Sequence, residues 1–491
     1  MSGIKEKMDN LNHLETQNGI PLSRFKNDSR SLSAILCYEE SWSDGVYKTW
    51  GDFLTGTALL RRQIEAVKSD KWLLHSEDCW FFLLGFTALL QCKKEIILSS
   101  NVSPAYIAEI RNDGSSGGVP FFTDLVLKPE EIPGDVFYLP DILKTESADT
   151  SIQEASEPVP VINADETSII MYTSGSTGQP KAVKHRLRDI ENDYFFKIAE
   201  WGEDYLKRKI CTTVSHHHFY GLSSAILMPF ELGVPFRRKR IDFPEELEKL
   251  TGAGYAIFTV PAFLKRAVEV EDTSSFKLES PWILTSGGLL EYDLAKKTKE
   301  VLGFWPIEGF GSTETGGIAF RQSCNGSEWM PFKSIKMSQA EDGCLVVHLP
   351  NSKDPAGIKI ADVVELSGDG RFLLKGRIDS VVKIEEKRIS LPEIENRIMQ
   401  SGLADDVCVI SMEGNRQYLA AAIVFNAKGK EQFNGLEKND INKYWRQYLS
   451  QYLESIVIPK KWRYLSALPV DTVGKKKKED IRQLFNNVNL D

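Results

Sequence analysis

Short apolar runs alternate along the chain with amphipathic stretches of helical period. The runs 168–173 and 256–261 have the length and the β-branched and aromatic content of buried strands. The stretches 56–68 and 391–400 repeat apolar residues every three or four positions, which predicts helices. The mostly apolar run 79–92 is too short to span a bilayer, so it predicts a buried helix. This alternation favours an α/β fold with mainly parallel sheets flanked by helices.

Two changes of composition divide the chain. Residues 145–166 are polar, acidic and contain proline, which predicts a surface linker. In 368–395 a Gly-Asp-Gly turn, a short strand and a charged connection precede a new helix, and we place the domain boundary there. With 491 residues, of which 42% are apolar, the chain is long enough for two cores. We predict a large N-terminal domain over residues 1–377 and a small α+β C-terminal domain over residues 378–491.

Composition excludes several classes of partner. A net charge of −9 and a pI near 5.5 argue against a nucleic-acid binder, because that affinity is built from clustered lysine and arginine. The N-terminal sequence lacks the apolar core of a signal peptide, and no run is long enough for a membrane span. The seven cysteines are scattered, without a C-x-x-C pair for zinc or redox chemistry. These observations predict a cytoplasmic protein.

The stretch 172–181, YTSGSTGQPK, is rich in glycine and in hydroxyl groups. Its glycines permit positive φ and close backbone approach, and loops of this kind hold phosphate oxygens through N–H and O–H groups. It is not the common nucleotide P-loop, because its lysine follows a proline and no serine or threonine follows the lysine. Taken alone, the stretch is equally typical of a turn in a hairpin. The residues in question are Thr173, Ser174, Gly175, Ser176, Thr177, Gly178 and Lys181.

With these residues the chain resembles the adenylate-forming superfamily, which includes acyl-CoA and aryl-CoA synthetases, luciferases and the adenylation domains of peptide synthetases. The family loop Y-T-S-G-[ST]-T-G-x-P-K holds the β- and γ-phosphates of ATP, and 172–181 matches it at every defined position. The resemblance runs from about residue 45 to the C-terminus and suggests a standalone enzyme that activates an acyl or aryl acid. Further family segments follow in order: 218-HFYG-221, 285-TSGG-288, 310-FGSTE-314, Asp362, 376-GRID-379 and 469-PVDTVGK-475.

The resemblance implies roles for residues of the N-terminal domain. Gly311 and Ser312 would bring the backbone near the ligand, Thr313 would contact the α-phosphate, and Glu314 would help to hold Mg²⁺, which prefers oxygen ligands. His218 would lie near the carboxylate end of the acyl pocket. The pocket and the adenine-binding segment would be completed by Phe219, Gly221, Ser286, Gly287 and Gly288.

The resemblance also implies roles near the C-terminus. Asp362 and Arg377 would bind the ribose or a phosphate through charge-assisted hydrogen bonds. Asp379 falls at the family's hinge, about which a mobile C-terminal domain rotates. Lys475 would be the catalytic lysine, because an ammonium group can offset the charge that develops when a carboxylate attacks the α-phosphate. Ordinary turn residues and a solvated basic run at 475–478 are the competing interpretations.

Three consecutive histidines, at 216–218, suggest a metal site at first sight. Adjacent residues do not project to one face of a helix or strand, and no carboxylate or cysteine is close in sequence, so zinc is disfavoured. The wall of a binding pocket is the better interpretation. No aspartate occurs in 215–226, where peptide-synthetase domains carry one to pair with an amino group. A fatty, β-branched or aryl acid therefore suits this chain better than an amino acid.

The implied reaction joins a carboxylic acid and ATP into an acyl-adenylate with release of pyrophosphate, followed by transfer to a thiol. One departure bears on the second step, because Glu386 replaces the glycine of the family pattern K-x-x-G-[FHY]-[RK]-[IV]. That glycine lines the pantetheine tunnel in the family. Three outcomes stay open: CoA in a rearranged tunnel, the phosphopantetheine arm of an acyl carrier protein, or an enzyme that stops at the adenylate. A catalytically quiet nucleotide or acyl binder and a luciferase-like oxidase are further alternatives.

Overall fold

A computed structural model divides the chain into two compact units. The first comprises the residues up to Ser327 and Pro331–Ser334, and the second comprises Glu328–Met330 and the residues from Ile335 onward. The functional boundary at 377/378 stays a prediction. The structure describes residues 30–102, 104–112, 118–127, 132, 134–144, 162–174, 180–276, 278–350, 352, 355–377, 381–384, 387–412, 418–451, 453, 458–471 and 476–486.

One sheet of the first unit contains the strand predicted at 168–173. Its strands are parallel except for the last, which returns antiparallel as a hairpin. The helix Cys79–Gln91 packs on this sheet and is buried along nearly its whole length, as its apolar sequence predicts. The strand order is Val136–Tyr138, Phe121–Thr123, Lys71–His75, Glu95–Ser99, Ser168–Ser174 and Pro180–Arg186, and other helices nearby in sequence are Trp50–Glu65, Pro104–Arg111 and Leu139–Ile142.

A second sheet of the first unit is parallel in its middle and closed by an antiparallel strand on each side. Eight of its strands lie in the order Gly316–Arg321, Ile307–Ser312, Trp282–Thr285, Tyr255–Thr259, Lys209–Thr212, Phe236–Arg237, Ile35–Tyr38 and Tyr47–Thr49. A small parallel pair joins Gly252–Ala253 to Leu278–Glu279. The remaining helical segments are Trp42–Asp44, Leu187–Tyr205, Phe219–Gly221, Leu222–Leu227, Met228–Leu232, Pro244–Lys249, Pro261–Val268, Tyr292–Leu302 and Ser323–Asn325, and the short strand Met330–Pro331 follows.

Local signals explain where the helices begin. The helix Trp50–Glu65 starts six positions before the predicted 56–68, because Thr49 and Asp52 form a capping box at its N-terminus. The Thr49 N–H donates to the Asp52 carboxylate at 2.8 Å, and the Thr49 hydroxyl accepts from the Asp52 N–H at 3.2 Å. The prediction of a helix at 391–400 is confirmed by Leu391–Gln400.

The second unit is of the α+β type. An antiparallel sheet is followed by a hairpin and by a three-stranded sheet whose core includes the stacked rings of Trp445 and Trp462. In the described part of the chain, no helix has both the length and the apolar character needed to cross a bilayer. The elements are Lys336–Gln339, Cys344–His348, Ile358–Leu366, Phe372–Arg377, Val381–Ile384, Lys387–Ser390, Leu391–Gln400, Ala404–Met412, Tyr418–Phe425, Ala427–Gln432, Lys438–Leu449, Lys461–Leu465 and Lys478–Asn486.

These elements confirm the predicted fold class. The larger part of the chain has mainly parallel sheets with helices, and the smaller C-terminal part mixes antiparallel sheets with helices. In α/β sheets, ligands bind beyond the carboxyl ends of parallel strands. We therefore expect the site at the loops that follow the parallel strands of the second sheet of the first unit.

Candidate active site

Hydroxyl-bearing residues tie together the loops at the carboxyl ends of three neighbouring strands. The hydroxyls of Thr213 and Thr259 are 2.9 Å apart. The Ser286 N–H donates to the Thr259 carbonyl at 3.2 Å, and the Ser286 hydroxyl donates to the Gly309 carbonyl at 2.8 Å. Ser286, predicted to lie near adenine, therefore holds the segment 285–288 against the next strand.

Gly287 and Gly288 leave open space at this edge. Gly287 has φ +84°, a conformation that favours glycine, and a Cβ atom there would come no nearer than 3.7 Å to Val260. A Cβ atom at Gly288 would lie 3.7 Å from Pro261. The two predicted glycines thus form a surface that a flat or extended ligand can approach closely.

A three-residue turn after the strand Ile307–Ser312 carries Thr313 and Glu314. Gly311 pairs with Gly317 across the hairpin, and a Cβ atom at Gly311 would overlap the carbonyl oxygen of Gly316. Glycine is therefore required at 311 for the two strands to approach. The Thr315 hydroxyl donates to the Gly316 carbonyl at 2.9 Å and lies 3.1 Å from the hydroxyl of Ser312.

The geometry of this turn suits the predicted ligands. Glu314 is exposed and Thr313 is half-buried. One carboxylate combined with substrate phosphates is a usual set of ligands for Mg²⁺, which demands few protein groups. Sequence reasoning missed Thr315, although its position one residue past Glu314 in a Gly-flanked turn is typical of a side chain that bonds to nearby backbone.

The segment that begins at His218 contributes the predicted acyl wall. His218 is half-buried and precedes the helical turn Phe219–Gly221. A Cβ atom at Gly221 would overlap the carbonyl oxygen of Ser215, so this turn also requires glycine. The buried Phe219 ring lies so close to Gly316 that a Cβ atom there would be 2.8 Å from it. The acyl wall and the Thr313 turn are therefore in direct contact.

His216 and His217 face the other sheet of the same unit. A ring nitrogen of His216 lies 2.6 Å from the Ser76 carbonyl oxygen, and His217 accepts from the Ser76 N–H at 3.2 Å. The His217 ring stacks on His75 with 3.9 Å between centroids. Burial lowers the pKa of His216 to about 3 and also lowers the pKa of His217, so both rings are neutral at pH 7. Of the three histidines, these two join the sheets and His218 remains the candidate for the pocket.

The predicted phosphate loop connects two strands of a hairpin. Thr173 pairs with Lys181, and Ser174 pairs with Pro180. The side chains of Thr173, Ser174 and Lys181 lie outside the described part of the structure, as do the loop residues Gly175, Ser176, Thr177 and Gly178. A hairpin turn and a phosphate loop, which the sequence left as alternatives, are compatible with this one backbone arrangement.

The return strand of this hairpin connects the loop to the Thr313 turn. His185, on Pro180–Arg186, is buried, and its ring centroid lies 4.9 Å from that of Phe219. The backbone of Thr313 is also within reach of its ring, and burial lowers the pKa of His185. The phosphate hairpin, the acyl wall and the Thr313 turn therefore meet at one place in the first unit.

In the second unit, Asp362 and Arg377 are opposite each other across an antiparallel ladder. Asp362 is half-buried; the structure describes only the backbone of Arg377. Lys475, Asp379 and Glu386 lie outside the described residues. The flanks of Lys475 are described, since Val470 and Lys476 form an antiparallel bridge.

Lys476, the neighbour of the predicted catalytic lysine, is held by the second unit's own sheet. Its ammonium nitrogen donates to the Val407 carbonyl at 2.6 Å and lies 2.8 Å from the Asp406 carboxylate. Burial acts to lower the pKa of Lys476, but the charge and the hydrogen bond of Asp406, together with the charge of Glu395, outweigh burial and the pKa is raised. Lys476 is therefore charged at neutral pH.

A cavity of about 540 Å³ lies in another part of the first unit. Its lining includes Gly56, Trp80, Leu84, Leu143 and Arg238. None of the predicted site residues that the structure describes lines this cavity. The candidate active site is instead the edge formed by the strand-end loops, the hairpin strand and the Thr313 turn.

Comparisons with known proteins agree with this geometry. Residues 125–341 match the family of AMP-binding enzymes. The chain is 22% identical over 382 residues to malonate–CoA ligase of Arabidopsis thaliana, covering 66% of this chain and 61% of that protein. It is 23% identical over 361 residues to p-hydroxybenzoic acid–AMP ligase of Mycobacterium marinum, covering 66% of this chain and 49% of that protein. The chain thus spans less than two thirds of each of these relatives.

Among solved structures, ATP-bound MatB from Rhodopseudomonas palustris superposes with a TM-score of 0.79 at 15% identity, covering 96% of this chain and all of that one. At this identity the likeness shows the fold alone. Together with the family match and the motifs in their order, these findings show that the chain belongs to the adenylate-forming superfamily.

Proposed function

We propose that the protein activates a carboxylic acid with ATP, releases pyrophosphate and then transfers the acyl group from the adenylate to a thiol. The observation that carries this proposal is the convergence of three predicted segments in the first unit. Gly311 shapes the turn of Thr313 and Glu314, Phe219 packs against that turn, and His185 joins both to the strand of the phosphate hairpin.

Residues of the first unit would bind and orient the substrates. Backbone and hydroxyl groups of 173–178, with Lys181, would hold the β- and γ-phosphates, and Thr313 would contact the α-phosphate. Ser286, Gly287 and Gly288 would lie against adenine and the acyl group, beside Gly311 and Ser312. Glu314 would hold Mg²⁺, whose positive charge would help to neutralise the phosphate oxygens.

Lys475 would act in the first chemical step. An oxygen of the acid attacks the α-phosphorus, the bond to the bridging oxygen breaks, and pyrophosphate leaves with that bond's electron pair. Negative charge collects on the entering and leaving oxygens, where a fixed ammonium group lowers the barrier. Asp362 and Arg377 would hold the ribose or a phosphate, and Asp379 would be the hinge for a second, thiol-accepting arrangement.

A fatty or aryl acid fits the proposed pocket better than an amino acid. The wall that begins at His218 continues as Leu222–Leu227, a buried segment without a carboxylate. A substrate amino group would therefore find no counter-charge on this segment, and burying an unpaired cation is unfavourable. Because one relative is named a malonate–CoA ligase, dicarboxylic acids belong in the test as well.

The second step of this proposal has three versions, with CoA as the acceptor, with a carrier protein as the acceptor, or with no acceptor. CoA is the acceptor named in one relative, whereas the other relative is named an AMP ligase. Glu386, in place of the family glycine, favours the phosphopantetheine arm of a carrier protein or an enzyme that ends at the adenylate. A larger acidic side chain would narrow a pantetheine tunnel and repel the phosphates of CoA.

The test is pyrophosphate release from Mg-ATP with fatty, hydroxybenzoic, cinnamic, dicarboxylic and amino acids. Each acid is tried with CoA, with a phosphopantetheinylated carrier protein and without acceptor. We expect release with a fatty or aryl acid, and a loss of about 100-fold or more in Lys475→Ala. Lys477→Ala is the matched control, since Lys477 is half-exposed and lies 3.8 Å from the equally exposed carboxylate of Asp480.

Two results would contradict the proposal. One is the absence of pyrophosphate release with every acid although ATP binds, which would favour a non-catalytic nucleotide binder. The other is equal loss of activity in Lys475→Ala and Lys477→Ala, which would show a general effect of the basic run. Restoration of turnover by carrier protein but not by CoA would decide the acceptor.

A further inference from the structure

A buried carboxylate accepts a hydrogen bond from the hairpin that carries the Thr313 turn. Asp193, on the helix Leu187–Tyr205, is 2% exposed. One of its oxygens accepts the Gly317 N–H at 2.6 Å. Its other oxygen accepts from the Lys197 ammonium at 2.5 Å and from the Ser223 hydroxyl. A charged side chain this deeply buried is unusual unless it is paired and hydrogen-bonded, and Asp193 is both.

The partners of Asp193 come from three separate elements. Lys197 lies one turn further along the same helix, has a side chain 5% exposed, and donates to the Ser224 hydroxyl at 2.8 Å. Ser223 and Ser224 belong to Leu222–Leu227, a π-helical segment that continues from the acyl wall. Gly317 belongs to the hairpin that carries Thr313 and Glu314. Segments of π-helix are frequent at functional sites, where they re-aim side chains.

The backbone of the hairpin is shaped to fit this carboxylate. A Cβ atom at Gly316 would lie 2.9 Å from an oxygen of Asp193, and one at Gly317 would lie 3.1 Å from the same oxygen. Gly316 also has φ +69°. Two glycines therefore let the turn rest directly on Asp193, and that oxygen contributes to the position of the turn.

We propose that Asp193 is a positioning residue: it fixes the Thr313–Glu314 turn in register with the acyl-wall helix, and Lys197 compensates its charge. This inference rests on the proposed function, because the turn matters for rate only if it receives the α-phosphate and Mg²⁺. Because Asp193 is only 2% exposed, it would act through the turn and not as a catalytic residue. Its effect is on geometry, and a catalytic loop displaced by about 1 Å can lose about 100-fold in rate.

Two double variants separate the accepting oxygen from the charge pair. Asp193→Leu/Lys197→Met removes both charges and the acceptor, whereas Asp193→Asn/Lys197→Met removes both charges and keeps an acceptor for Gly317. Replacing a buried ion pair by apolar residues of similar size is often neutral for stability, so both variants are expected to fold. If the leucine variant fails to fold, Asp193→Ala/Lys197→Met removes the same acceptor with a smaller side chain.

Glu308→Gln/Arg321→Met is the matched control. Glu308 and Arg321 are directly opposite each other at the other end of the same hairpin, and their ion pair is 2.8 Å long with side chains 3% and 14% exposed. This variant removes a buried ion pair from the hairpin without touching Asp193. It is expected to leave the hydrogen-exchange rate of the Gly317 amide and the rate of pyrophosphate release close to the wild-type values.

Two measurements give the expected results. Hydrogen exchange of the Gly317 amide, read from overlapping peptides within 310–321, should be about tenfold faster in the leucine variant and near wild type in the asparagine variant. The kcat for pyrophosphate release should fall about tenfold or more in the leucine variant, with KM values within about twofold, and should be largely restored by asparagine.

The proposal is overturned if the leucine variant matches the wild type in exchange, or if the asparagine variant is as impaired as the leucine variant. The second outcome would mean that the charge pair, and not the accepting oxygen, determines the geometry. If the wild type releases no pyrophosphate, the proposed function fails on its own. The exchange measurement still decides whether Asp193 positions the turn.

Discussion

Two predicted catalytic loops, one in each unit, are held in different ways. The Thr313 turn is the end of a hairpin whose strands touch through glycines and whose backbone donates to a buried carboxylate. The residues flanking Lys475 are held by one bridge, Val470 to Lys476, and by the Lys476–Asp406 ion pair, whose side chains are 35% and 37% exposed. The first is restrained by backbone packing and the second by a partly exposed side chain.

Because the two loops are restrained differently, substitutions in them should have different effects. A backbone overlap cannot be relieved without moving the strand, whereas exposed ion pairs are screened by water and contribute little. In the proposed reaction the turn must offer fixed groups to the developing charge, which requires a rigid arrangement. Substitutions that disturb the turn should therefore reduce activity more than substitutions in the Lys476–Asp406 ion pair, which is the anchor beside Lys475.

The largest effect is expected for Gly311→Ala. Its Cβ atom would overlap the Gly316 carbonyl oxygen, so the hairpin strands must separate and the turn must move. We expect a loss of about 100-fold or more in pyrophosphate release. Gly309→Ala is the control, because in the same strand its Cβ atom would come no closer than 3.6 Å to Ser286.

Equal activity of Gly311→Ala and Gly309→Ala would contradict the claim that backbone packing at Gly311 restrains the Thr313 turn. Circular dichroism and thermal unfolding separate a local effect from loss of the fold. A local effect leaves the unfolding midpoint of Gly311→Ala within a few degrees of the control while activity falls. A midpoint that falls with activity would mean that Gly311 serves stability alone.

The sequence predicted the helices and strands better than the buried contacts that hold the candidate site in place. The strand at 168–173 and the helix at 391–400 were found because their periodicity reflects one buried face. The motifs marked Gly311 and Gly221, whose conformations leave no room for a side chain. Both kinds of signal are local, so one sequence carries them.

The buried network could not be predicted in this way. Asp193 and Lys197 have the i, i+4 spacing of an ordinary surface ion pair on a helix, and nothing local shows that both are buried. Their burial results from the packing of Leu222–Leu227 and the hairpin, which lie far away in sequence. His216 and His217 were likewise recognised as a group, but their bonds to Ser76 depend on the other sheet.

A smaller effect is expected for Lys476→Met. The change removes the bonds to Asp406 and to the Val407 carbonyl that hold the residue following Lys475. Because the pair is partly exposed, we expect kcat for pyrophosphate release to fall by about threefold to tenfold, with KM for ATP unchanged. Lys477→Met is the control, since Lys477 is half-exposed.

A loss in Lys476→Met as large as that of Gly311→Ala would contradict the distinction between the two loops. Asp406→Asn sharpens the test, because it weakens the same anchor from the other side and leaves every lysine in place. Similar kcat values for Lys476→Met and Asp406→Asn would assign the effect to the ion pair. A loss confined to Lys476→Met would assign it to the bond with Val407.

The smallest effect concerns Glu395, a partly buried carboxylate of the second unit. Glu395 accepts the Val409 N–H at 2.8 Å. Burial raises the pKa of Glu395, while this hydrogen bond and the positive charge of Lys476 act to lower it. A raised pKa means that the folded state holds the proton more tightly than the unfolded state does. The stability from this proton is complete below the unfolded pKa of about 4.3 and is lost as pH rises through the folded pKa.

The Glu395→Gln variant should therefore have the same unfolding midpoint as the wild type below about pH 4.3. At pH 7 its unfolding midpoint should be higher than that of the wild type, by a few degrees at most. Glutamine keeps an acceptor for Val409 but carries no charge to bury. Asp193 sharpens the contrast: with Lys197 in contact, Asp193→Asn alone should lower the midpoint at pH 7, because it leaves a buried cation unpaired. A lower midpoint for Glu395→Gln at pH 7 would show that its ionised form is stabilising, and that the two carboxylates are held alike.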